Sequence, residues 1–319
     1  MTILGIDISK KTFDATLIDP QGQKHHRLFD NNETGFKKLR RWLKKHKVVE
    51  LRACMEATNI YWEELAQFLY DQGYHVSVVN PARIKGFAQS QLRRNKTDKV
   101  DSEVVADFCA AIAPKLWRPP SPTHRKLRAL VRHQEALQKT LTQQCNRLGT
   151  CQDPDVRSSL QMLIDTLQTE LARLEQQIQS FIDRHPDLKK QLKLLVSIKG
   201  IGAKTAIKLI AEMYDLAEYE NAQAAAADAG LTPSHHRSGT SVRRKPRLSK
   251  VGKASVRGAL YWPAITALQH NPIIRALKER LEAKGKCNMV IIGAAMRKLL
   301  HIAYGVLKNQ TPFDPNYVN

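Results

Sequence analysis

The sequence predicts an α/β part with a mixed sheet, followed by a part that is almost entirely helical. An apolar run from Ile3 to Asp7, a turn at residues 19–22 and a strand pattern between them indicate an antiparallel meander at the start. Strand and helix patterns then alternate as far as the helix that contains Phe108, which favours a mixed sheet. Beyond Pro119, Pro120 and Pro122, leucines recur at helical spacing with few glycines, which indicates helices.

The elements of the first part follow from their periodicity. The strands are predicted at 3–7, at 12–18, near Arg27, at 51–55 and at 76–80, where Pro81 stops the last one. An amphipathic helix carries Phe36, Leu39 and Leu43, and another runs from Tyr61 to Tyr70. A third helix begins near Asp98 and has an apolar stripe of Val100, Val104, Val105 and Phe108.

The prolines predict a linker followed by a long helical hairpin. Its first arm has a seam of Leu127, Leu130, Leu137, Leu141 and Leu148, with Gln134 and Gln144 in the seam, and Pro154 separates it from the second arm. The second seam is predicted as Leu160, Leu163, Leu167, Leu171, Leu174, Ile178 and Phe181, a coiled-coil pattern with a stutter between Leu167 and Leu171. The arms either pack only on each other or recruit a second subunit, and periodicity does not separate these cases. The predicted domains are 1–118, 119–190 and 191–319.

The last part is predicted as helices joined by one glycine turn and one basic loop. Helix, turn and helix succeed one another from Leu192 to Met213, and the small residues of the turn let phosphate approach backbone amides. The predicted backbone contacts are Lys199, Gly200, Gly202 and Lys204. The turn lacks the Gly-Lys-Thr ending of an ATP-binding loop. An apolar helix from Ile292 to Leu307 closes the chain.

Composition points to a polyanionic partner. The 319 residues include 51 Lys and Arg against 30 Asp and Glu, a formal charge of +21. No run of 18 apolar residues and no leader pattern is present, so we expect neither membrane insertion nor secretion. Five cysteines without metal-ligand spacing indicate reduced thiols, and therefore a cytoplasmic protein.

Four acidic residues form the candidate metal site. Asp98 and Asp101 lie three residues apart at a helix start, and Asp7 and Glu56 end predicted strands. Taken alone, this pattern is more typical of an ordinary helix start, in which Thr97 or Asp98 caps the helix and Asp101 complements its dipole. Four converging carboxylates cannot all stay ionised without compensation, so the sequence predicts Mg²⁺ or Mn²⁺ as cofactor.

The stretch 237–257 contains eight basic residues and no acid. Ser238 lies among them as a candidate nucleophile, because the positive charge would stabilise the attacked phosphate, while Ser241, Ser249 and Ser255 are chemical competitors. A serine in such a loop more often only hydrogen-bonds phosphate. The predicted nucleic-acid contacts are Arg93, Arg94, Lys96, Arg237, Arg243, Arg244, Lys245, Arg247, Lys250, Lys253 and Arg257.

Several motifs resemble the DEDD insertion-sequence transposases, whose relatives include pilin-gene invertases and bridge-RNA-guided recombinases. The motifs are GIDISKKTFD, MEAT, VVNPARIKGFAQS, RRNKTDKVD, IKGIGAKTA, AGLTP, RSGTSVR and MRKLLHIAYGVLK, in family order over almost the whole chain. The resemblance implies an RNase H-like, Holliday-junction-resolvase-like first domain. It also implies that Asp7, Glu56, Asp98 and Asp101 are the acidic tetrad and that Ser238 is the serine nucleophile. Relatives commonly have glycine where this chain has Asn59.

The resemblance further implies a covalent phosphoserine link to a cut strand, target and donor DNA as partners, and a noncoding guide RNA. The leucine seam is longer than one short core needs and predicts a homo-oligomer, dimer or tetramer. The leading hypothesis is a site-specific DNA recombinase of a mobile element. A metal-dependent, junction-resolving endonuclease would use the tetrad without Ser238. A nonenzymatic nucleic-acid-binding protein is the third reading, but it would gain nothing from four acids near phosphate.

Overall fold

A computed structural model describes residues 1–57, 59–92, 97–234, 237–238, 242–243 and 247–316. The chain divides into two compact units, Met1–Pro119 and Pro120–Asn319. The division into three domains stays a prediction. The base of the helical hairpin shares its hydrophobic core with the rest of the second unit, through residues such as Leu127 and Ile182.

A five-stranded mixed sheet forms the centre of the first unit, and this confirms the predicted α/β class. Its strands are β1 (Thr2–Ile8), β2 (Thr12–Ile18), β3 (Lys24–Asp30), β4 (Leu51–Glu56) and β5 (His75–Val79). The order across the sheet is β3-β2-β1-β4-β5. The first three strands form the predicted antiparallel meander, whereas β4 runs parallel to both β1 and β5. The carboxyl ends of β1 and β4 therefore lie side by side.

Helices cover both faces of this sheet. On one face α1 (Glu33–Lys45) and α2 (Glu63–Asp71) bury apolar side chains against Leu4 and Ile6. On the other face α3 (Pro81–Ser90) and α4 (Asp98–Ile112) pack against Ile3 and its neighbours. Successive strand residues point to opposite faces, so Gly5 and Asp7 share the face that α4 covers.

The helix α3 was absent from the sequence prediction, which used Pro81 only as the end of a strand. Pro81 instead occupies the first turn of the helix, and the Asn80 side chain accepts a hydrogen bond from the Ala82 amide. Proline fits this position because its fixed φ suits a helix and its missing N–H would have no helical partner.

Gly5 allows α4 to lie directly on the sheet. A Cβ atom at Gly5 would lie 2.2 Å from the Ala106 nitrogen and 2.4 Å from the Ser102 carbonyl oxygen. Beside this contact, the hydroxyl groups of Thr16 and Ser102 form a buried hydrogen bond of 2.8 Å. Thr16 pairs with Gly5 in the sheet, so the contact and the hydrogen bond fix the same point of α4.

We expect Gly5→Ala to destabilise the protein by about 3 kcal/mol, because the atoms in the way are backbone and cannot rotate aside. Urea unfolding of the full chain measures this loss. The matched control is Gly86→Ala within α3, where an added Cβ meets nothing within 4 Å. That variant should gain about 0.5 to 1 kcal/mol. Equal effects of the two substitutions would contradict the close approach of α4.

In the second unit, α5 (Pro122–Thr150) and α6 (Pro154–Asp183) form a hairpin. The predicted seam of α6 was partly wrong. Ile164 is buried where Leu163 was predicted, and Ile182 is buried where Phe181 was predicted. The steps from Leu160 to Ile178 therefore follow a regular heptad pattern, and the additional four-residue step falls between Ile178 and Ile182, not after Leu167.

The remaining helices build the core of the second unit. They are α7 (Pro186–Val196), α8 (Ala203–Glu212), α9 (Ala222–Asp228), α10 (Ala254–Ala259), α11 (Tyr261–His270), α12 (Pro272–Glu282) and α13 (Asn288–Asn309), with a 3₁₀ turn at Leu216–Glu218. The mostly helical class is confirmed. The prediction of an entirely helical domain with one loop was wrong. The basic stretch contains the short strands β6 (Pro233–Ser234), β7 (Arg237–Ser238), β8 (Val242–Arg243) and β9 (Arg247–Leu248).

Among the described residues, α13 has the length and apolar composition that could cross a membrane. Half of its apolar window is buried inside the protein. Leu299, Leu300 and Ala303 of this helix are fully buried in the core of the second unit. The helix therefore has the surroundings of a core helix.

Candidate functional site

The strand ends bring two of the four acids together. Ile6 of β1 pairs with Met55 of β4 in parallel register, so Asp7 and Glu56 are the next residues along the two strands. Neighbouring strands lie about 4.8 Å apart. Glu56 is the last residue of β4, and both side chains are half-buried.

The first turn of α4 supplies the other two acids. The Thr97 hydroxyl accepts a hydrogen bond from the Val100 amide and caps the helix, with Asp98 and Asp101 in the first turn. One turn further on, Ser102 and Ala106 rest on Gly5, two residues before Asp7 on the same face. The contact at Gly5 thus sets the start of α4 over the carboxyl end of β1. Asp101 is half-buried and Asp98 is exposed.

The pKa of Asp7 is raised by burial and by the neighbouring acids. Burial, together with the negative charges of Asp101, Glu56 and Asp98 in that order, raises the pKa of Asp7 to about 6. The fifth contributor is Asp14, which pairs with Asp7 across β1 and β2. Asp14 itself holds His26 through a contact of 2.7 Å. The four predicted acids therefore lie within electrostatic range of one another.

The four acids are placed where they could bind a cation, but their side chains are not grouped tightly around one position. In the described part of the chain, no three Asp, Glu, His or Cys side chains are grouped tightly enough to hold a metal ion. A divalent cation would draw the four carboxylates closer together, because it offsets their mutual repulsion. The side chains at the strand ends can rotate, whereas the strand register that places Glu56 beside Asp7 is fixed.

We expect Asp7→Asn to stabilise the metal-free protein above pH 6. The raised pKa means that the stability contributed by protonated Asp7 is complete below its ordinary pKa of 3.8 and is lost as the pH rises through about 6. In EDTA at pH 8, the substitution should add about 1 to 2 kcal/mol, after allowance for solvent screening. At pH 4 the gain should shrink towards zero.

Urea unfolding at pH 4, 6 and 8 measures this difference. Asp71→Asn is the control, since Asp71 lies on α2, on the opposite face of the sheet. Its effect should be the same at every pH. A loss of stability in Asp7→Asn at pH 8 would contradict the crowding of the acids.

Ser238 lies in a β-hairpin arm. Pro233 and Ser234 pair with Leu248 and Arg247 at its base, and the next ladder pairs Arg237 with Arg243 and Ser238 with Val242. Only the backbone of β7 and β8 is described. The predicted extended basic loop is therefore a two-ladder arm, with Ser238 in its outer ladder.

Several predicted phosphate contacts lie at the base of this arm, where they also bind protein atoms. The Lys253 ammonium is 2.9 Å from an Asp228 carboxylate oxygen, and the Tyr219 hydroxyl donates to Asp228 over 2.6 Å. Arg257 donates to the carbonyl oxygens of Ala229 and Lys250. Arg247 and Lys250 are exposed. Arg93, Arg94, Lys96, Arg244 and Lys245 lie outside the described residues.

The glycine turn connects α7 and α8. Gly200 has a φ of +104°, and a Cβ there would lie 2.7 Å from the Ala267 side chain, so the turn requires glycine. Gly202 begins α8 without a side-chain cap and is exposed. Lys199 and Lys204 are exposed beside it, and Lys204 contacts Glu175 over 3.2 Å. Uncapped amides at a helix start are suited to a phosphate oxygen.

Sequence reasoning missed the residues that position the acids. Gly5 was a detectable signal, because a glycine inside a strand often marks a close backbone approach. The hydrogen bond between Thr16 and Ser102 has no sequence signal. Asn59 adopts a φ of +52°, the left-handed conformation that glycine prefers and asparagine tolerates.

The order of the five strands, with helices on both faces, defines the first unit as an RNase H-like domain of the DEDD transposase class. A family profile for DEDD transposases of the IS110 type, described as "Transposase", matches residues 4–152. A second, described as "Transposase IS116/IS110/IS902 family", matches residues 192–279. The chain belongs to the IS110 family of transposases.

Named relatives agree with this assignment. The chain is 36% identical to the pilin gene-inverting protein of Moraxella bovis over 98% of both chains, and equally to that of Moraxella lacunata. It is 22% identical to the transposase for insertion sequence element IS1111A of Coxiella burnetii, over 84% of this chain and 78% of the relative. The protein is thus a DNA transposase or recombinase, and the family points to DNA as substrate and to a divalent metal.

Proposed function

We propose that the protein cuts and rejoins DNA strands with the tetrad Asp7, Glu56, Asp98 and Asp101 and with Ser238 as nucleophile. The observation that supports the proposal is the placement of Glu56 beside Asp7 in the sheet and of the start of α4 over the same strand end. The pKa of Asp7 is raised by burial and then by the charges of the three other acids. Four carboxylates around one point would repel a DNA phosphate unless a cation stood between them. The tetrad is therefore the proposed site for Mg²⁺ or Mn²⁺.

The metal would be held by the tetrad carboxylates, and when bound it would neutralise charge on the attacked phosphate and on the departing oxygen. The protein's own residues hold these carboxylates in position. The contact at Gly5 and the bond between Thr16 and Ser102 hold α4 against the sheet, so Asp98 and Asp101 keep their place beside Asp7. Carboxylates on regular elements hold their position better than carboxylates on loops.

In the proposed reaction, the Ser238 oxygen attacks the phosphorus of a DNA strand. A bond forms between serine oxygen and phosphorus, the phosphorus–oxygen bond to the leaving sugar breaks, the serine proton passes to a base, and the leaving oxygen takes up a proton. The phosphoserine keeps the phosphodiester energy. A hydroxyl group of another strand can then displace the serine, so rejoining needs no ATP.

The proposed partners are target DNA, donor DNA and a noncoding guide RNA that pairs with both, in the cytoplasm. The exposed residues Lys199, Lys204, Arg247 and Lys250 supply cationic contacts to phosphate, together with the helix start at Gly202. The formal charge of +21 is enough to hold more than one nucleic acid.

The proposal is tested with DNA that carries the ends of the mobile element, with or without RNA from its flanks. With Mg²⁺ we expect labelled DNA to stay attached to the protein in detergent, and EDTA should prevent this. Sequencing of the RNA that the purified protein retains tests the guide. Cleavage without any covalent attachment of DNA to the protein would favour the alternative, a junction-resolving nuclease. Such a nuclease would use only the tetrad, which lies within the first unit.

We also propose that the hairpin joins subunits into a dimer or tetramer. Met162 and Leu163 of α6 are 70% and 42% exposed and lie off the seam that faces α5. We expect the double substitution Met162→Gln and Leu163→Gln to lower the mass measured by light scattering. Met289→Gln with Val290→Gln is a control of similar exposure, 65% and 44%, and should leave the mass unchanged. A wild-type mass for the hairpin variant would exclude this interface.

A further inference from the structure

The exposed side of α1 carries an unusual density of positive charge. Between residues 33 and 47 the chain has seven basic residues and one acid, Glu33. All seven are exposed, while Phe36, Leu39, Trp42 and Leu43 face the core. The basic residues are Lys37, Lys38, Arg40, Arg41, Lys44, Lys45 and Lys47.

Of these seven basic residues, only the two nearest the start of the helix form ion pairs with described residues. Lys37 pairs with Glu33 at 2.6 Å, and Lys38 pairs with Asp30 at 3.1 Å. The other five form no ion pair with any described residue of the chain. These five residues, Arg40, Arg41, Lys44, Lys45 and Lys47, are here called the α1 basic patch.

The α1 basic patch does not face the DNA strand that the tetrad would cut. The helix α1 packs on the sheet face formed by Leu4 and Ile6, whereas Asp7 and α4 belong to the opposite face. The patch and the tetrad therefore lie on opposite faces of the sheet. A nucleic acid on the patch is therefore a different segment from the one at the acids.

We infer that the α1 basic patch binds the phosphate backbone of a DNA duplex segment other than the cut strand. The 13 residues of α1 extend about 20 Å, and duplex DNA carries one charge per about 1.7 Å, so several phosphates lie within reach. The patch offers no aromatic ring for stacking on an unpaired base, because Phe36 and Trp42 are buried. Backbone contact with a duplex is the mode that this surface fits, and DNA is the substrate of the family.

The test compares two double variants that each remove two positive charges from α1. Arg40→Gln with Arg41→Gln removes patch residues, whereas Lys37→Gln with Lys38→Gln removes residues already paired with Glu33 and Asp30. Binding of a blunt 20-base-pair DNA duplex to the full chain is followed by fluorescence anisotropy from 50 to 200 mM salt. EDTA is present, so the result does not depend on cleavage by the proposed site. A duplex RNA of the same length is titrated in parallel.

The patch variant should bind DNA several-fold more weakly, with a salt slope lower by about 2, because each lost phosphate contact lowers it by about 0.9. The paired-lysine variant should bind much as the wild type does. Unchanged DNA binding in the patch variant, an equal loss in both variants, or a loss confined to RNA would overturn the inference. Thermal unfolding verifies that each variant is folded.

Discussion

Asp7→Asn should reduce DNA cleavage and strand joining by at least about 10³-fold, since it removes the central acid of the tetrad. Asp7 is the residue on which the charges of Asp101, Glu56 and Asp98 act. Replacing the carboxylate by an amide keeps the shape of the side chain, so the sheet should stay folded. Glu56→Gln should have a similar effect because Glu56 follows the parallel register beside Asp7.

The measurement is the yield of cut and rejoined DNA from the purified full chain in Mg²⁺ or Mn²⁺. Asp71→Asn serves as control, because that exposed acid lies on α2 away from the tetrad. A second readout separates metal binding from chemistry. Mn²⁺ should raise the melting temperature of the wild type and leave that of Asp7→Asn nearly unchanged. Full activity in Asp7→Asn would remove the tetrad from the mechanism.

Ser238→Ala should abolish covalent attachment of DNA to the protein while leaving nucleic-acid binding intact. Alanine lacks the hydroxyl oxygen that would form the bond to phosphorus. The backbone pairing of Ser238 with Val242 does not need the side chain, so the arm should keep its ladder. We expect no protein-linked DNA above background, a loss larger than that of any single basic residue.

Detergent gels with end-labelled DNA measure the covalent species. Ser249→Ala is the matched control, because Ser249 follows β9 at the base of the same arm and competed with Ser238 on chemical grounds. It should retain the covalent product. If Ser238→Ala still cuts DNA at the normal rate, hydrolysis by the acids alone explains the activity, and the serine mechanism is wrong. If Ser249→Ala alone loses the product, the nucleophile has been misassigned.

The local elements were largely predictable from the sequence. An apolar run located β1, alternation of apolar residues located β2, and the three-and-four spacing of leucines located α5 and α6. The errors have local physical reasons. Pro81 signals the end of a strand and the first turn of a helix equally well, and adjacent apolar residues such as Leu163 and Ile164 both fit a helical period until a partner helix selects one.

The sequence by itself determined the mixed sheet, the four candidate acids and the large positive charge, because each depends on local pattern or on composition. Only the tertiary structure decided that the acids converge. Asp7 and Glu56 become neighbours through the parallel pairing of β1 with β4, and Asp98 and Asp101 join them because Gly5 lets α4 rest on the sheet. It also decided that the basic face of α1 lies across the sheet from those acids. Such relations connect residues dozens of positions apart, and no periodicity within one segment encodes them.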